Sequence, residues 1–251
     1  LALLAGVTLV SCSKSVKDPQ NADIPQEVIA QLKSMGYGTS NLQKVDEGYL
    51  VEGDMIVTPD MLGTRPTSPT LLIANEEQYR TTNLVTGLPR TITVSAPTSP
   101  ANFSTAVNNA IARYNAENLQ ITFSRVNSNG NINIKIVNTG QYIASAGFPS
   151  GGNPYNTINY AKLYSTYGID FMTTVIAHEM GHCIGFRHTD YMNRAYSCGS
   201  GGNEGASTVG AILIPGTPSG PDAASWMLAC LSSSTNRPFN TNDKTALNYL
   251  Y

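Results

Sequence analysis

All three histidines of this 251-residue chain lie within one stretch of thirteen residues, HEMGHCIGFRHTD, which runs from His178 to Asp190. His178 and His182 are four residues apart, so on an α-helix they stand one turn above the other on the same face. Two imidazoles placed in this way can bind one metal ion, at about 2.0–2.1 Å each if the ion is zinc. The spacing therefore predicts a helix that carries two metal ligands.

The third histidine, His188, can join the other two only if the helix ends before it. A continuous helix would point a ring six residues beyond His182 away from the metal. Gly185 lies where the chain must turn, and glycine adopts the left-handed conformation of such an exit most readily. The pattern H-E-x-x-H-x-x-G-x-x-H thus predicts three histidine ligands with a fourth position open for water, which is typical of catalytic zinc.

Glu179 follows the first histidine directly and is the predicted general base. Its carboxylate can take the proton from zinc-bound water as the water attacks a carbonyl, and can then pass it to the leaving amine. These residues predict a zinc-dependent endopeptidase that hydrolyses peptide bonds. Two alternatives remain open: an envelope-anchored binding protein that keeps the fold and the zinc without significant catalysis, and hydrolysis of a non-peptide amide.

The composition limits the class of partner. The net charge is -2 and only 13% of the residues are charged, so a nucleic-acid binder held by phosphate contacts is not indicated. The apolar fraction of 41% is enough for a buried core. We expect a protein or peptide as substrate, no nucleic acid as partner, and a monomer.

The first residues, LALLAGVTLVSC, form an apolar run that is too short to span a bilayer. We interpret residues 1–11 as the remnant of a signal peptide. The residues that end at Cys12 resemble a bacterial lipobox, which implies lipidation of that thiol and a flexible tether over residues 12–23. Membrane contact would then be made through the lipid anchor alone, in the cell envelope. The alternative is a plain secretory signal and a secreted protein.

The other cysteines are Cys183, Cys198 and Cys230. An exported chain allows disulfides, and an odd number leaves one thiol without an internal partner. We expect the pair Cys198–Cys230, because Cys183 lies beside His182 in the predicted helix. Spacing alone leaves the connectivity open.

Apolar periodicity and turn residues predict an α+β chain, with a small segment up to residue 77 and a larger domain over residues 78–251. A Glu52-Gly53-Asp54 turn joins two predicted strands, and an Asn129-Gly130 turn separates two others, as in a β-hairpin. Asp170 is expected to cap the histidine helix at Phe171. The other predicted elements are helices over 24–37, 100–118 and 242–251, a strand at TITVSA, and a strand at the end of SAGFPSGGNPYNTINY.

The motif HEMGHCIGFRH matches the metzincin zinc signature. Segments such as AIARYNAENLQITFSRV, ASAGFPSGG and FNTNDKTALNYLY are similar to the bacterial dual-action HEIGH metallopeptidases, which are close to the astacins. The resemblance covers most of the chain. It implies a metzincin-type catalytic domain: a twisted mixed sheet with two long helices above a cleft, and an irregular lower part after His188. It also implies one catalytic zinc ion. AGFPSGGNPYNTINY would supply the upper rim of the cleft and an edge strand to which a peptide can add.

The same resemblance assigns a Met-turn, the turn that packs beneath the zinc ligands in metzincins. ASWMLAC offers Met227 for it, and the alternative is an ordinary buried methionine. Two astacin features are missing. Ala229 stands where astacins have a switchable metal-binding tyrosine, which leaves Tyr191 or Tyr196 as open substitutes. Thr189 stands where astacins have the glutamate that receives the mature N-terminus.

LVEGDMIV resembles the Phe-x-Gly-Asp motif of astacin propeptides, with Val51 in place of the phenylalanine. The resemblance implies that Asp54 binds the zinc and displaces the catalytic water. Residues 24–77 would then be a propeptide-like segment of a latent zymogen, and a cut between about Leu62 and Thr82 would activate the enzyme. The alternative is a hairpin with an acidic turn and no role at the metal.

Overall fold

The structure, a computed structural model, describes residues 24–62, 78–205, 210–218 and 220–251. We call residues 24–62 the first segment and residues 78–251 the main region. The predicted signal peptide, the tether and Cys12 lie outside the described residues.

Both parts contain strands and helices. The strands are β1 (Gln43–Val45), β2 (Gly48–Val51), β3 (Met55–Val57), β4 (Tyr79–Arg80), β5 (Arg90–Ser95), β6 (Ile121–Val126), β7 (Ile132–Val137), β8 (Ala144–Ser145), β9 (Thr157–Ala161) and β10 (Ile212–Leu213). The α-helices are α1 (Gln26–Ser34), α2 (Ala101–Asn115), α3 (Ile169–Cys183), α4 (Ala195–Cys198) and α5 (Thr241–Leu250), with 3₁₀ turns at Pro59–Met61 and Lys162–Thr166. Within the described ranges, no helix is long and apolar enough to cross a membrane.

A five-stranded sheet in the order β6-β5-β7-β9-β8 forms the centre of the main region. Its first four strands are parallel, and β8 runs antiparallel to β9 at the edge. Apolar side chains of the strands and of α2 and α3 share one core. The predicted α+β class, with a mixed sheet and two long helices, is confirmed.

The predicted hairpin around Asn129-Gly130 is wrong. β6 and β7 do not pair with each other, because β5 lies between them and pairs in parallel with both. The turn is instead fastened to β5: the Asn131 carboxamide oxygen accepts hydrogen bonds of 2.9 Å from the backbone N–H and the hydroxyl of Thr93. A Cβ on Gly130 would lie 2.6 Å from the backbone nitrogen of Ser95. The glycine therefore serves a close crossing over β5 rather than a tight reversal.

Helix α3 is the central element of the core, since every residue from Phe171 to Cys183 is buried. The Tyr114 hydroxyl of α2 donates a hydrogen bond of 2.7 Å to the carbonyl of Ala177 and joins the two helices. The helix starts at Ile169 with Gly168 at the N-cap, so the prediction that Asp170 caps it is wrong. Asp170 lies in the first turn, where its negative charge favours the positive end of the helix dipole.

The first segment has its own small core around Leu32 and a three-stranded antiparallel sheet, β1-β2-β3. It also pairs with the edge of the main sheet. The Ala146 N–H donates a hydrogen bond of 2.9 Å to the carbonyl of Asp54, and the Ile56 N–H donates one of 2.8 Å to the carbonyl of Ala146. The predicted turn at Glu52–Asp54 is confirmed, and it points into the main region.

The chain after His188 is irregular, as predicted. Cys198 and Cys230 are joined in a disulfide, and Cys183 is a buried free thiol. The closing helix α5 has a capping box in which Asn240 and Asp243 satisfy each other's backbone N–H groups.

Candidate metal centre

His178 and His182 lie on the last turns of α3, and a backbone carbonyl contacts the Nδ1 atom of each ring. The Nδ1 atom of His178 is 2.8 Å from the carbonyl oxygen of Trp226, and that of His182 is 2.8 Å from the carbonyl oxygen of Phe186. Carbonyl oxygens only accept hydrogen bonds, so each Nδ1 carries the proton. Both Nε2 lone pairs are then free for a metal ion.

Gly185 turns the chain so that His188 comes back to the end of the helix. Its φ is +108°, and a Cβ there would lie 2.7 Å from Leu84 Cδ2. Beyond the turn, the Arg187 N–H donates a hydrogen bond of 2.9 Å to the carbonyl of Tyr79, which fixes the returning strand. The predicted glycine exit is confirmed.

Three histidine nitrogens and one carboxylate oxygen converge on one point. The Nε2 atoms of His182 and His188 are 3.2 Å apart, and Asp54 Oδ2 lies 3.0 Å from His188 Nε2 and 3.5 Å from His178 Nε2. All four ligand atoms lie within 4.8 Å of one another. A tetrahedral zinc ion with bonds of about 2.0–2.1 Å spaces its ligands about 3.3 Å apart. The donor set therefore fits one zinc ion.

The surroundings of His182 favour the form of its ring that binds a metal. Burial, and then the rings of His178 and His188, lower the pKa of His182 well below its usual range. The neutral imidazole is the form that binds a metal. The Nε2 atom of His178 is buried and has no hydrogen-bond partner, so a cation is the partner that the site offers it.

Glu179 lies beside the three histidines and is buried, with its Oε2 atom without a hydrogen-bond partner. Burial, and then the Asp54 carboxylate, raise the pKa of Glu179 well above its usual range. A carboxylate in these surroundings is a stronger base than one in water. Its position and basicity suit the role that the motif predicts.

Met227 lies directly beneath α3. A Cβ on Gly181 would come within 2.6 Å of Met227 Sδ, so the glycine lets the methionine pack against the ligand helix. The Thr189 N–H donates a hydrogen bond of 3.0 Å to the carbonyl of Met227, which ties this turn to the residue after His188. Met227 therefore packs against the ligand helix, and its assignment to a Met-turn stays a prediction.

Asp190 makes further hydrogen bonds within the lower part, the irregular chain after His188. Its carboxylate accepts a hydrogen bond of 3.0 Å from the Ala229 N–H and one of 2.6 Å from the Ser197 hydroxyl. The two tyrosines left open as substitutes lie elsewhere: the Tyr191 ring contacts that of Tyr79 at 4.4 Å, and Tyr196 is 44% exposed.

Glu204 is a site residue that the sequence interpretation missed. Its Oε1 atom lies 2.8 Å from His188 Nδ1 and 2.5 Å from Arg194 Nη1. Burial alone would raise the pKa of Glu204, but His188, Arg194 and Arg187 outweigh it and lower the pKa to about 2. The carboxylate is therefore charged and orients the third histidine. One signal was available: Glu204 is the single charged residue between Arg194 and Asp222.

Glu52 is the second missed residue, although it belongs to the predicted turn. Both of its carboxylate oxygens contact Arg187 Nη2, at 3.1 and 3.0 Å, and both side chains are fully buried. Its backbone carbonyl accepts a hydrogen bond from Arg194 Nη1. The first segment is thus held in the main region by an ion pair as well as by Asp54.

The fold and this centre define a zinc metallopeptidase. Residues 50–251 match the family of dual-action HEIGH metallo-peptidases, and the chain belongs to that family. The predicted family, enzyme class and zinc cofactor are thereby confirmed.

Two structures of myroilysin align with TM-scores of 0.45 and 0.42 at 17% and 14% identity. They cover 67% and 84% of this chain, and 82% and 92% of theirs. A hatching-enzyme zinc-protease of the medaka fish Oryzias latipes, high choriolytic enzyme 1, aligns with a TM-score of 0.29 at 20% identity over 42% of this chain and 49% of its own. No curated protein matches the chain in sequence.

Proposed function

We propose that this metallopeptidase is an endopeptidase in which His178, His182 and His188 hold the zinc ion and Glu179 is the general base. The observation that carries the proposal is the convergence of the three Nε2 atoms beside a buried carboxylate that has an unsatisfied oxygen. A bound zinc ion would polarise the peptide carbonyl. It would also lower the pKa of water, so that the water can attack at neutral pH.

The protein's own residues transfer the proton and orient the metal ligands. Glu179 takes a proton from the attacking water on its Oε2 atom and returns it to the leaving amine nitrogen. The backbone carbonyls of Trp226 and Phe186 hold the rings of His178 and His182 in one tautomer. Burial of the whole site keeps these charges unscreened by solvent.

Glu179→Gln tests this assignment, because glutamine keeps the size of the side chain and cannot accept the proton. In the enzyme freed of the first segment, we expect kcat on a broad protein substrate to fall about 10²–10⁴-fold with the zinc content unchanged. Asp170→Asn is the matched control, since it removes an exposed carboxylate of the same helix. If Glu179→Gln keeps wild-type turnover, Glu179 is not the base.

We also propose that the first segment makes the chain a latent zymogen. Two contacts support this: Asp54 Oδ2 lies within 3.0 Å of a ligand nitrogen, at the position that water needs. The backbone around Met55 also pairs with Ala146 at the edge of the main sheet, where a peptide substrate would add as a strand. The first segment therefore covers both the metal and the peptide-binding edge.

Asp54→Ala in the full chain tests latency. The variant is expected to show raised basal proteolysis or faster self-cleavage, because the metal loses its fourth protein ligand. Asp60→Ala is the control, since Asp60 is an exposed acid of the same segment. Equal activity of the wild-type and Asp54→Ala chains would mean that the turn has no inhibitory role.

The cellular place of the enzyme stays a prediction from sequence. We propose that Cys12 is lipidated and that the enzyme, a monomer, works on protein or peptide substrates at the bacterial envelope. Metabolic labelling with a fatty-acid analogue tests this proposal: Cys12→Ser should abolish labelling, and an unlabelled wild-type chain would favour plain secretion.

A further inference from the structure

The buried contact between Glu52 and Arg187 joins two parts of the chain that latency requires to separate. Both carboxylate oxygens of Glu52 contact Arg187, and the Gly38 N–H of the first segment donates a hydrogen bond of 3.2 Å to Oε1. In the main region, Arg187 Nη1 donates to the carbonyls of Gly205 and Gly210 at 2.8 and 3.2 Å. The guanidinium is therefore fixed by its own loop, whether or not Glu52 is present.

The backbone of Glu52 has a strained conformation. Its φ is +57°, in the left-handed region that residues with a Cβ rarely adopt. The neighbouring Gly53 accepts the same region freely, with φ +92°. A strained glutamate that makes a two-oxygen ion pair indicates that the carboxylate itself is required at this point.

Arg194 binds the backbone of the same turn. Its Nη1 atom donates to the carbonyl of Glu52, and a Cβ on Gly53 would lie 3.1 Å from its Nη2 atom. One arginine therefore binds the side chain of the turn and the other binds its main chain. Any peptide that takes the place of this turn in the cleft contacts both arginines.

The charges of this cluster balance only while Glu52 is present. Arg187 and Arg194 then face two carboxylates, those of Glu52 and Glu204. The cluster thus contains two arginines and two carboxylates, and each carboxylate contacts at least one of the arginines. When the first segment leaves, two buried arginines share Glu204 alone, and one positive charge is uncompensated.

We propose that Arg187 and Arg194 form a carboxylate-binding subsite beside the metal, which Glu52 fills in the zymogen and an acidic side chain of the substrate fills in the active enzyme. The subsite is one side chain away from the metal, since Glu204 contacts both arginines and His188. This inference rests on the proposed function, because it assumes that the first segment leaves the cleft.

The first test measures the subsite in the full chain without catalysis. Glu52→Ala leaves the arginines without their carboxylate, and acetate is the probe. We expect acetate to raise the Tm of Glu52→Ala by about 2–4 °C, with no such rise for acetamide, for chloride at equal ionic strength, or for the wild-type chain. If acetate shifts the variant no more than the wild type, the subsite proposal is overturned.

The second test uses the enzyme obtained from the full chain by a cut within residues 63–77. Matched fluorogenic peptides differ only in Glu or Gln at one position around the scissile bond. At one position, kcat/KM is expected to be about 10–100-fold higher for the Glu peptide. In Arg187→Lys this ratio falls towards one, because lysine cannot bind both oxygens. Arg194→Gln, which removes the other positive charge, is the second variant if Arg187→Lys does not fold.

The outcomes separate the two proposals. An enzyme that cleaves both peptides of every pair equally well overturns the subsite and leaves the endopeptidase standing. An enzyme that cleaves no peptide overturns the proposed function, and the acetate measurement then decides the subsite by itself.

Discussion

The first segment and the main region are stabilised in different ways. The main region has a sheet, two long helices and one large apolar core that runs from Val85 to Tyr251. The first segment has three short strands, one helix and a small cluster that borrows Phe148 from the main region. Its most buried polar contacts, those of Glu52 and Asp54, are made to the other part of the molecule.

This difference shows which of the two parts depends on the other for its folded structure. A segment of about 40 residues rarely buries enough apolar surface to fold alone. The first segment therefore depends on the metal cleft that it covers, whereas the sheet and helices of the main region do not depend on it. In the proposed zymogen, one cut would be enough to lose the first segment, because little of its own stability holds it in place.

The largest expected effect comes from the same substitution made in each core. Leu247 of α5 and Leu32 of α1 are both fully buried. Leu247→Ala should lower the free energy of unfolding of the whole protein by about 2–5 kcal/mol. Leu32→Ala should instead release the first segment, seen as faster proteolysis near residue 62, with the main unfolding transition nearly unchanged. Equal effects on the main transition would contradict the comparison.

The disulfide allows a comparison within the main region, since it joins two points of the lower part, whose described residues add only the two-residue strand β10 to a sheet. Cys198 and Cys230 are 32 residues apart. Cys198→Ser/Cys230→Ser should lower the free energy of unfolding by about 2–4 kcal/mol, as measured by denaturant titration. A reducing agent should destabilise the wild type equally and leave the double variant unaffected. A wild type that is insensitive to reduction would mean that packing alone holds this part.

Glu204 tests whether the main region orients its own metal ligands. Glu204→Gln removes the charge that faces His188, so zinc affinity is expected to fall about 10–100-fold in competition with a chelator. Glu117→Gln, which changes a carboxylate outside the site, is the control and should bind zinc as the wild type does. Unchanged affinity in Glu204→Gln would mean that the backbone alone sets the third histidine.

The smallest effect is expected at the surface of the main region. Lys244 contacts Glu117 at 3.0 Å, but the lysine side chain is 49% exposed. Lys244→Ala should change the free energy of unfolding by less than about 1 kcal/mol, because solvent screens such pairs. A larger loss would show that ion pairs stabilise the main region as they attach the first segment.

Features that depend on neighbours along the chain were predictable from the sequence. The histidine helix, its exit at Gly185 and the turn at Glu52–Asp54 follow from helical spacing, from glycine and from alternating strands. The start of α3 was missed by two residues, since an acid in the first turn and an acid at the N-cap give similar patterns.

Features that depend on distant contacts were not predictable in this way. The place of β5 between β6 and β7 is a matter of strand order, which an Asn-Gly pair does not report. Glu52 and Arg187 are 135 residues apart, and no local pattern links them. Glu204 lies in a Gly- and Ser-rich stretch with no periodicity, so only its isolation as a charged residue marked it.

Gln78 sets a limit on where the proposed activating cut can fall. Its amide donates to Asp243 at 2.7 Å and to Ser225 at 3.2 Å, and its carbonyl accepts from Ile214 at 2.8 Å. A protease that trimmed past this glutamine would loosen the turn that carries Met227. We therefore expect the proposed activating cut to leave an N-terminus at or before Gln78, which excludes the last few residues of the window that the sequence suggests.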